Sequence, residues 1–512
     1  MAGRHNQKQG RRVKMKNKGK KKVIIIGGGI AGLSAGIYAQ QFGYDTEIYE
    51  KNAVMGGECT GWERQGWHID NCIHWLTGCL EGEELNEIWH NVGALDDSTE
   101  LYREPYMYAM ETENGTLHLW CDIERTRREL LDHAPEDEEQ INLFLDSVKK
   151  AECVKVPCAK SMADMGMMDY IRMGMTMAEM PAVLKEYGGQ TIAQMADRFH
   201  NPDVRRLIGG YLDGNYKAIP LISSYAFYTS GTAAIPMGGS VAMAQRITRR
   251  YEQLGGVVHT NAPVERVNIV RGKAQSVTLK DGTVVPCDAV ICACDTAITF
   301  GRLLERKYMD KKLRTMYEKE DSYITTSNFS VVFGIIGNEP ISCPSGTTVF
   351  PCEGYTVGKK PLDMLGVRIY DYDPLLFPAD RRVIMCNITQ SSADYEYWKA
   401  LYVDRERYKA EKARIAGEIE QRIKAKYPDL ADRLVLLDTF TPVTFERWCG
   451  AYHGAYMSFF EQPGAKSLTA GNADRGLNNV FIASQWLTTN GGLPIAVTQG
   501  KFAAMKLAQK VK

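Results

Sequence analysis

"KKVIIIGGGIAGLSAGIYAQ", residues 21–40, decides how this chain folds. Its left flank suggests a targeting signal. Residues 1–22 hold ten Lys or Arg and no acid, Arg11-Arg12 among them, and residues 23–39 carry no charge. The glycines argue otherwise. Gly27, Gly28, Gly29, Gly32 and Gly36 suit a spanning helix poorly, and they fit a strand–turn–helix unit well. Val23 to Ile26 reads as a buried parallel strand that runs into G-x-G-x-x-G at Gly27, Gly29 and Gly32. A helix is predicted from Ile30 to Phe42, closed by Gly43, with a second strand over residues 45–50. Cleavage as a signal would destroy this unit, so the targeting reading is rejected.

Each residue type has a physical purpose in such a unit. Gly27 permits the tight turn, Gly29 lets the backbone approach a pyrophosphate, and Gly32 lets the helix pack closely on the strand. The helix N-terminus at Ile30 and Ala31 offers free N–H groups and positive dipole to phosphates. Glu50, eighteen residues after Gly32 at the end of the second strand, is placed to accept hydrogen bonds from a ribose. Lys51 follows it, and a second glycine pair stands at Gly56-Gly57.

The 512 residues are enough for two domains or one large composite domain. Basic and acidic residues balance at 62 each. With the ten basic residues of the first 22 set aside, the rest is mildly acidic, which gives no sign of a nucleic-acid surface. Residues 1–20 read as a solvated, disordered basic tail, and Met15 offers an alternative start. Thirteen dispersed cysteines show no paired C-x-x-C spacing, so no metal site is expected, and reduced thiols in the cytoplasm are the simplest reading.

With Gly56-Gly57 added to the glycine motif and Glu50, the chain resembles the phytoene desaturase, carotenoid isomerase and retinol saturase group, part of the amine-oxidase-like flavoprotein superfamily. Three stretches carry the resemblance: residues 22–78, through "GWHIDNCIHWLTG"; residues 235–294, from "IPMGGSVAMAQ" to "CDAVICAC"; and "NNVFIASQWLTTNGGLPIAVTQGKFAAMKLA" near the end. It implies FAD as cofactor, backbone contacts from Val264 to the adenine, and a closing turn at Gly491, Gly492 and Pro494 that holds the flavin ring. It also implies a substrate that is a polyene, retinoid or unsaturated fatty acid, changed at C–C bonds by desaturation, saturation or isomerisation, with an unspecified electron donor or acceptor. Two departures stand out. Glu58 replaces the arginine of the family's Gly-Gly-Arg, and Ser484-Gln485-Trp486 replaces its usual residues at the last turn.

The expected fold is α/β, with a discontinuous Rossmann-like FAD-binding domain (21–95, 216–299 and 436–512) and an interleaved α+β substrate domain (96–215 and 300–435). A helix is predicted around Ile415, Ile419 and Ile423, supported by Glu418–Arg422 and Glu420–Lys424 pairs and stopped by Pro428. Residues 161–181 hold eight of the 22 methionines, either as an adaptable lid or tunnel wall with peripheral membrane contact, or as a soft core helix.

His74 and Glu58 are the candidate catalytic residues. The unperturbed pKa of His74 suits acid–base work at neutral pH, the alternative being a hydrogen-bonded structural histidine, and Glu58 could serve as an acid in a low-dielectric pocket. Asp70, Cys72 and Trp75 flank His74, while Trp448, Tyr452 and Tyr456 could form aromatic walls. The resemblance to monoamine oxidases makes Cys449 a candidate for covalent flavin attachment. A flavin amine oxidase is the alternative enzyme. A non-catalytic lipid-binding protein of the Rab GDP-dissociation inhibitor type is the alternative outside enzymes, and the intact glycine motif with Glu50 argues against it.

Overall fold

A computed structural model describes residues 19–473 and 476–512. Most of the basic tail, Met15 included, lies outside the described residues. The opening apolar stretch is a strand, Lys22–Ile26, with Val23, Ile24 and Ile25 fully buried. It is the middle strand of a five-stranded parallel sheet. The spatial order is Val480–Ile482, Ala289–Cys292, Lys22–Ile26, Asp45–Tyr49, Val257–His259. Strands from the start, middle and end of the chain therefore make one sheet, as a discontinuous domain requires. The order reverses at Lys22–Ile26, and in such sheets ligands bind beyond the carboxyl end of the strand where that happens.

The helix Ile30–Gln41 follows, and Phe42 caps it. It is buried along nearly its whole length because the last helix, Leu493–Lys510, crosses it closely. A Cβ on Gly500 would sit 2.4 Å from the Ala31 carbonyl, so only glycine permits the approach. Ser34 locks the crossing by donating to the Val497 carbonyl. The antiparallel meander Val264–Val270, Lys273–Leu279 and Val284–Pro286 turns with positive φ at Arg271, Gly272 and Gly282.

A second, seven-stranded sheet runs in the order Leu434–Phe440, Ser327–Ile335, Val383–Gln390, Lys360–Tyr370, Gly346–Val357, Tyr106–Thr112, Gly115–Trp120. All its pairings are antiparallel except that between Gly346–Val357 and Tyr106–Thr112. One face packs Phe329, Val331, Phe333, Ile369 and Ile384 against Ile415, Ile419 and Ile423 of the long helix Arg405–Lys426. That helix carries the Glu420–Lys424 pair, but Glu418 pairs with Arg414 instead of Arg422. Arg422 reaches the backbone carbonyls of Glu353 and Gly354. The expected domain start at 216 falls just before, and that at 436 falls within, an element packed with this second layer. Helix Ala218–Thr229 sits in one core with Phe144, Leu145 and Met110, and Leu434–Phe440 is the sheet's edge strand.

The methionine-rich segment is not core. Helix Met167–Thr176 buries no residue, and Met167, Met168 and Met175 are 80%, 69% and 68% exposed. No helix among the described residues is long and apolar enough to cross a membrane.

Candidate active site

The glycine loop is built as its composition demands. Gly27 has φ of 106°, and a Cβ on Gly32 would lie 2.0 Å from the Gly27 carbonyl oxygen, so helix and loop meet with no room for a side chain. Around Gly29 a Cβ would meet nothing closer than 3.8 Å, which leaves that backbone open to a ligand. The second glycine turn docks on the first, since the Gly56 N–H donates to the Gly28 carbonyl at 2.9 Å.

Glu50 is buried and accepts from the N–H of Gly28 at 2.7 Å and of Asn52 at 2.8 Å. A carboxylate offers about four acceptor sites, so Glu50 keeps capacity for the two hydroxyls of a ribose. Beside it lies a cavity of about 650 Å³, lined by Gly27, Gly29, Glu50, Lys51, Gly57 and Val264 among others. Arg302 also lines it and brings a cation that the sequence reading missed, because no motif marks it. Helix Pro442–Cys449 closes one side. Lys51 donates to the Arg447 carbonyl, Asn52 to the Trp448 carbonyl, and the Trp448 indole to the Gly57 carbonyl. A bare glycine cradle, an acid with spare acceptor capacity and four cations (Lys51, Arg302, Lys399 and Arg447) in one cavity fit a dinucleotide such as FAD.

Gly491, Gly492 and Pro494 stand at the start of the last helix, outside the residues lining this cavity. The Gly491 and Gly492 N–H groups are already taken by the side chains of Ser458 and Gln485. Ile30 and Ala31 form the buried first turn of the glycine-loop helix.

Glu58 is half-buried next to Cys449. Burial first, and the nearby Asp295 second, push its carboxyl up to about 8, while a hydrogen bond with Cys449 works against them. Burial raises Asp295 to about 7, although it accepts from the N–H groups of Tyr452 and Ala297. The Cys449 thiol is pushed well above its ordinary value by burial and by Glu58. Cys449 and Tyr452 line the cavity. Tyr452 stacks on His453, with ring centroids 3.8 Å apart.

His74 belongs to a different neighbourhood. Burial, then the Arg368 charge, lowers it to about 3, so it is neutral at pH 7 and not poised near neutrality as its ordinary value suggests. Its Nε2 lies 3.3 Å from Nδ2 of Asn387, whose Oδ1 accepts from Ser330, so Nε2 is the acceptor. Asp70 has a structural position: it is buried and accepts from the N–H and hydroxyl of Ser240 at the start of helix Gly239–Gln253.

The comparisons with known proteins agree with this geometry. The family model described as "Flavin containing amine oxidoreductase" matches residues 30–299. The 4,4'-diaponeurosporene oxygenase of Staphylococcus aureus (strain MW2) is 21% identical over 502 residues, covering 95% of this chain and 98% of its own. The phytoene desaturase (lycopene-forming) of Pseudescherichia vulneris is 23% identical over 514 residues, covering 96% and 100%. An oxidoreductase from Methanosarcina mazei shares the fold with a TM-score of 0.58 at 16% identity, over 94% of this chain and 99% of that one. Putrescine oxidase bound to putrescine does so with a TM-score of 0.58 at 16% identity, over 95% and 98%.

Fold and site together define an FAD-dependent oxidoreductase. The chain belongs to the flavin-containing amine oxidoreductase family and is phytoene desaturase-like within it.

Proposed function

We propose that this enzyme acts on C–C bonds of an apolar unsaturated small molecule, of the polyene, retinoid or unsaturated fatty-acid kind. The observation that carries the reading is end-to-end similarity to two relatives whose names specify carotenoid chemistry. FAD, when bound, supplies two-electron exchange at an unactivated carbon. The protein's own groups do the rest. Gly29 and the first turn at Ile30 and Ala31 seat the pyrophosphate, Glu50 holds the ribose, and Lys51 and Arg302 offset the phosphate charge. Val264 approaches the adenine. Gly56 and Gly57 carry the chain from this cradle to Glu58.

Glu58 is the proposed acid. At pH 7 it holds its proton, being pushed to about 8, and can donate to a substrate carbon or stabilise developing negative charge. His74 carries no proton to give at that pH, so its part is to accept a hydrogen bond and orient a neighbour. Gly491, Gly492 and Pro494 support the flavin end by fixing the last helix, whose N-terminal dipole favours negative charge.

The exposed patch of Met167, Met168, Ile171, Met175 and Leu184 supports peripheral contact with a lipid surface, where apolar substrates reside. In this reading the enzyme works from the cytoplasmic side. A flavin amine oxidase, which shares the fold, is the alternative reading.

Anaerobic incubation of the flavin-loaded enzyme with a polyene, an unsaturated fatty acid and putrescine tests the reading. Change in flavin absorbance with one of the first two supports it, and change with putrescine alone overturns it.

A further inference from the structure

Helix Gly239–Gln253 carries Arg246, Arg249 and Arg250 three and four positions apart, so all three lie on one face. Like charges at such spacing repel one another, and their grouping needs a reason. Two of them have a structural one. Helix Glu84–Val92 ends beside this face at Gly93, which takes a φ of 77°. Arg250 donates through Nε to the Asn91 carbonyl at 3.4 Å, and Arg246 through Nε to the Ala94 carbonyl at 3.0 Å. These bonds satisfy carbonyls at and just past the end of the helix. A Cβ on Gly93 would lie 2.9 Å from the Arg250 Cβ, so the turn presses on the arginine stem and fixes it.

Those bonds occupy Nε alone. The three arginines line, with Asp96 and Asp97, a second cavity of about 350 Å³ that shares no residue with the flavin cavity. Arg249 is exposed and Arg250 half-buried, so both present N–H groups that a ligand can reach. Nη2 of Arg246 is enclosed by protein, and that residue adds charge from behind. Among the described residues none of the three arginines forms an ion pair, although two acids line the same cavity. Asp96 is engaged in its own turn, where its Oδ1 accepts from the N–H and hydroxyl of Ser98 and from the Thr99 hydroxyl. Asp97 is exposed. Three cations therefore outweigh two acids, and one of those acids has its carboxylate uncommitted.

We propose that this cavity binds a phosphate group carried by a polyol, either a free glycerol phosphate or the glycerol phosphate head group of a lipid. Arg249 and Arg250 donate to the phosphate oxygens, since the planar guanidinium fork matches phosphate geometry. Arg246 strengthens the field there, and Asp97 accepts from a hydroxyl of the polyol. The mixture of charges selects this chemistry. A bare polyanion would bring negative charge against Asp97, and a neutral polyol would leave the arginines without an acceptor. A phosphate joined to hydroxyls serves both sides of the cavity at once.

The test uses the flavin-loaded protein, so that the glycine cradle is already filled. Calorimetric titration with glycerol 3-phosphate, inorganic phosphate and glycerol reads the cavity, and flotation with phosphatidylglycerol or phosphatidylcholine vesicles reads the source of the ligand. Glycerol 3-phosphate should bind at least about ten-fold tighter than glycerol, and Arg249→Gln should weaken it about ten-fold. Flavin content and melting temperature should stay at the wild-type level in that variant, because Arg249 is exposed. Asp97→Asn should narrow the preference for the ester over inorganic phosphate by strengthening the latter. Ester binding without flotation makes the ligand a free metabolite, whereas flotation that requires both phosphatidylglycerol and Arg249 makes it a lipid head group; either upholds the cavity. Ester binding that Arg249→Gln leaves unchanged would overturn the proposal. So would the absence of heat with about 1 mM ester together with flotation indifferent to Arg249→Gln.

Discussion

The two sheets present opposite kinds of surface. The parallel sheet around Lys22–Ile26 presents bare backbone: glycines, helix N–H groups and one acid, Glu50, with a short stretch of chain supplying nearly all of it. The seven-stranded sheet presents side chains, gathered in register from strands as far apart as Tyr106–Thr112 and Val383–Gln390. A backbone site tolerates no added atoms and little change of conformation. A side-chain site tolerates exchange of its members provided charge and hydrogen bonding remain balanced.

That contrast can be broken most directly at Gly32. With a Cβ 2.0 Å from the Gly27 carbonyl, Gly32→Ala should cost about 4 kcal/mol or leave no soluble protein, read by denaturant melts and yield. Gly29→Ala separates packing from binding. Nothing in the protein opposes its Cβ within 3.8 Å, so the melt should hold while flavin occupancy falls. Loss of stability at Gly29 with flavin retained would refute the cradle.

On the side-chain sheet, Arg368→Met alone leaves Glu104 buried and unpaired, with an expected loss of about 3–5 kcal/mol. The paired Arg368→Met/Glu104→Gln change should recover most of it. If the double change is as damaging as the single, the cost lies in packing and not in charge.

A smaller effect is expected at Glu58. Glu58 is raised from 4.5 to about 8 in the folded protein, so the fold binds a proton there that the unfolded chain releases. Its contribution to stability is complete below about pH 4.5 and is lost as pH climbs through 8. Asp295, raised to about 7, acts in the same direction. Melting temperature of the flavin-free protein should fall between pH 5.5 and 9, and Glu58→Gln should remove about half of that slope. The smallest change is expected at the exposed Arg414–Glu418 pair, where Arg414→Ala should cost about 0.5 kcal/mol.

The same contrast explains what could be read before the fold was known. Strand, glycines, helix and Glu50 stand in order within thirty residues, so their chemistry is visible in a line of text. The Ile415–Ile419–Ile423 stripe was legible for the same reason. Arg368 and Glu104 were not, since nothing near either residue announces a partner 264 positions away. His74 was legible as a residue of interest but not in its charge, which Arg368 and burial determine. The methionine run was ambiguous because flexible apolar side chains serve a core and a surface equally well, and only exposure separates the two. Arg302 escaped notice because a lone cation after a strand has no spacing to betray it.

The central claim is that the glycine cradle, Glu50 and the adjoining cavity hold FAD without a covalent bond, with Cys449 kept as a thiol by burial and Glu58. An absorbance spectrum of the purified protein, followed by one of the supernatant after acid precipitation, tests it. The expected result is a flavin spectrum that moves entirely into the supernatant. Flavin retained in the pellet would contradict the state assigned to Cys449, and absence of flavin even after incubation with FAD would contradict the site itself.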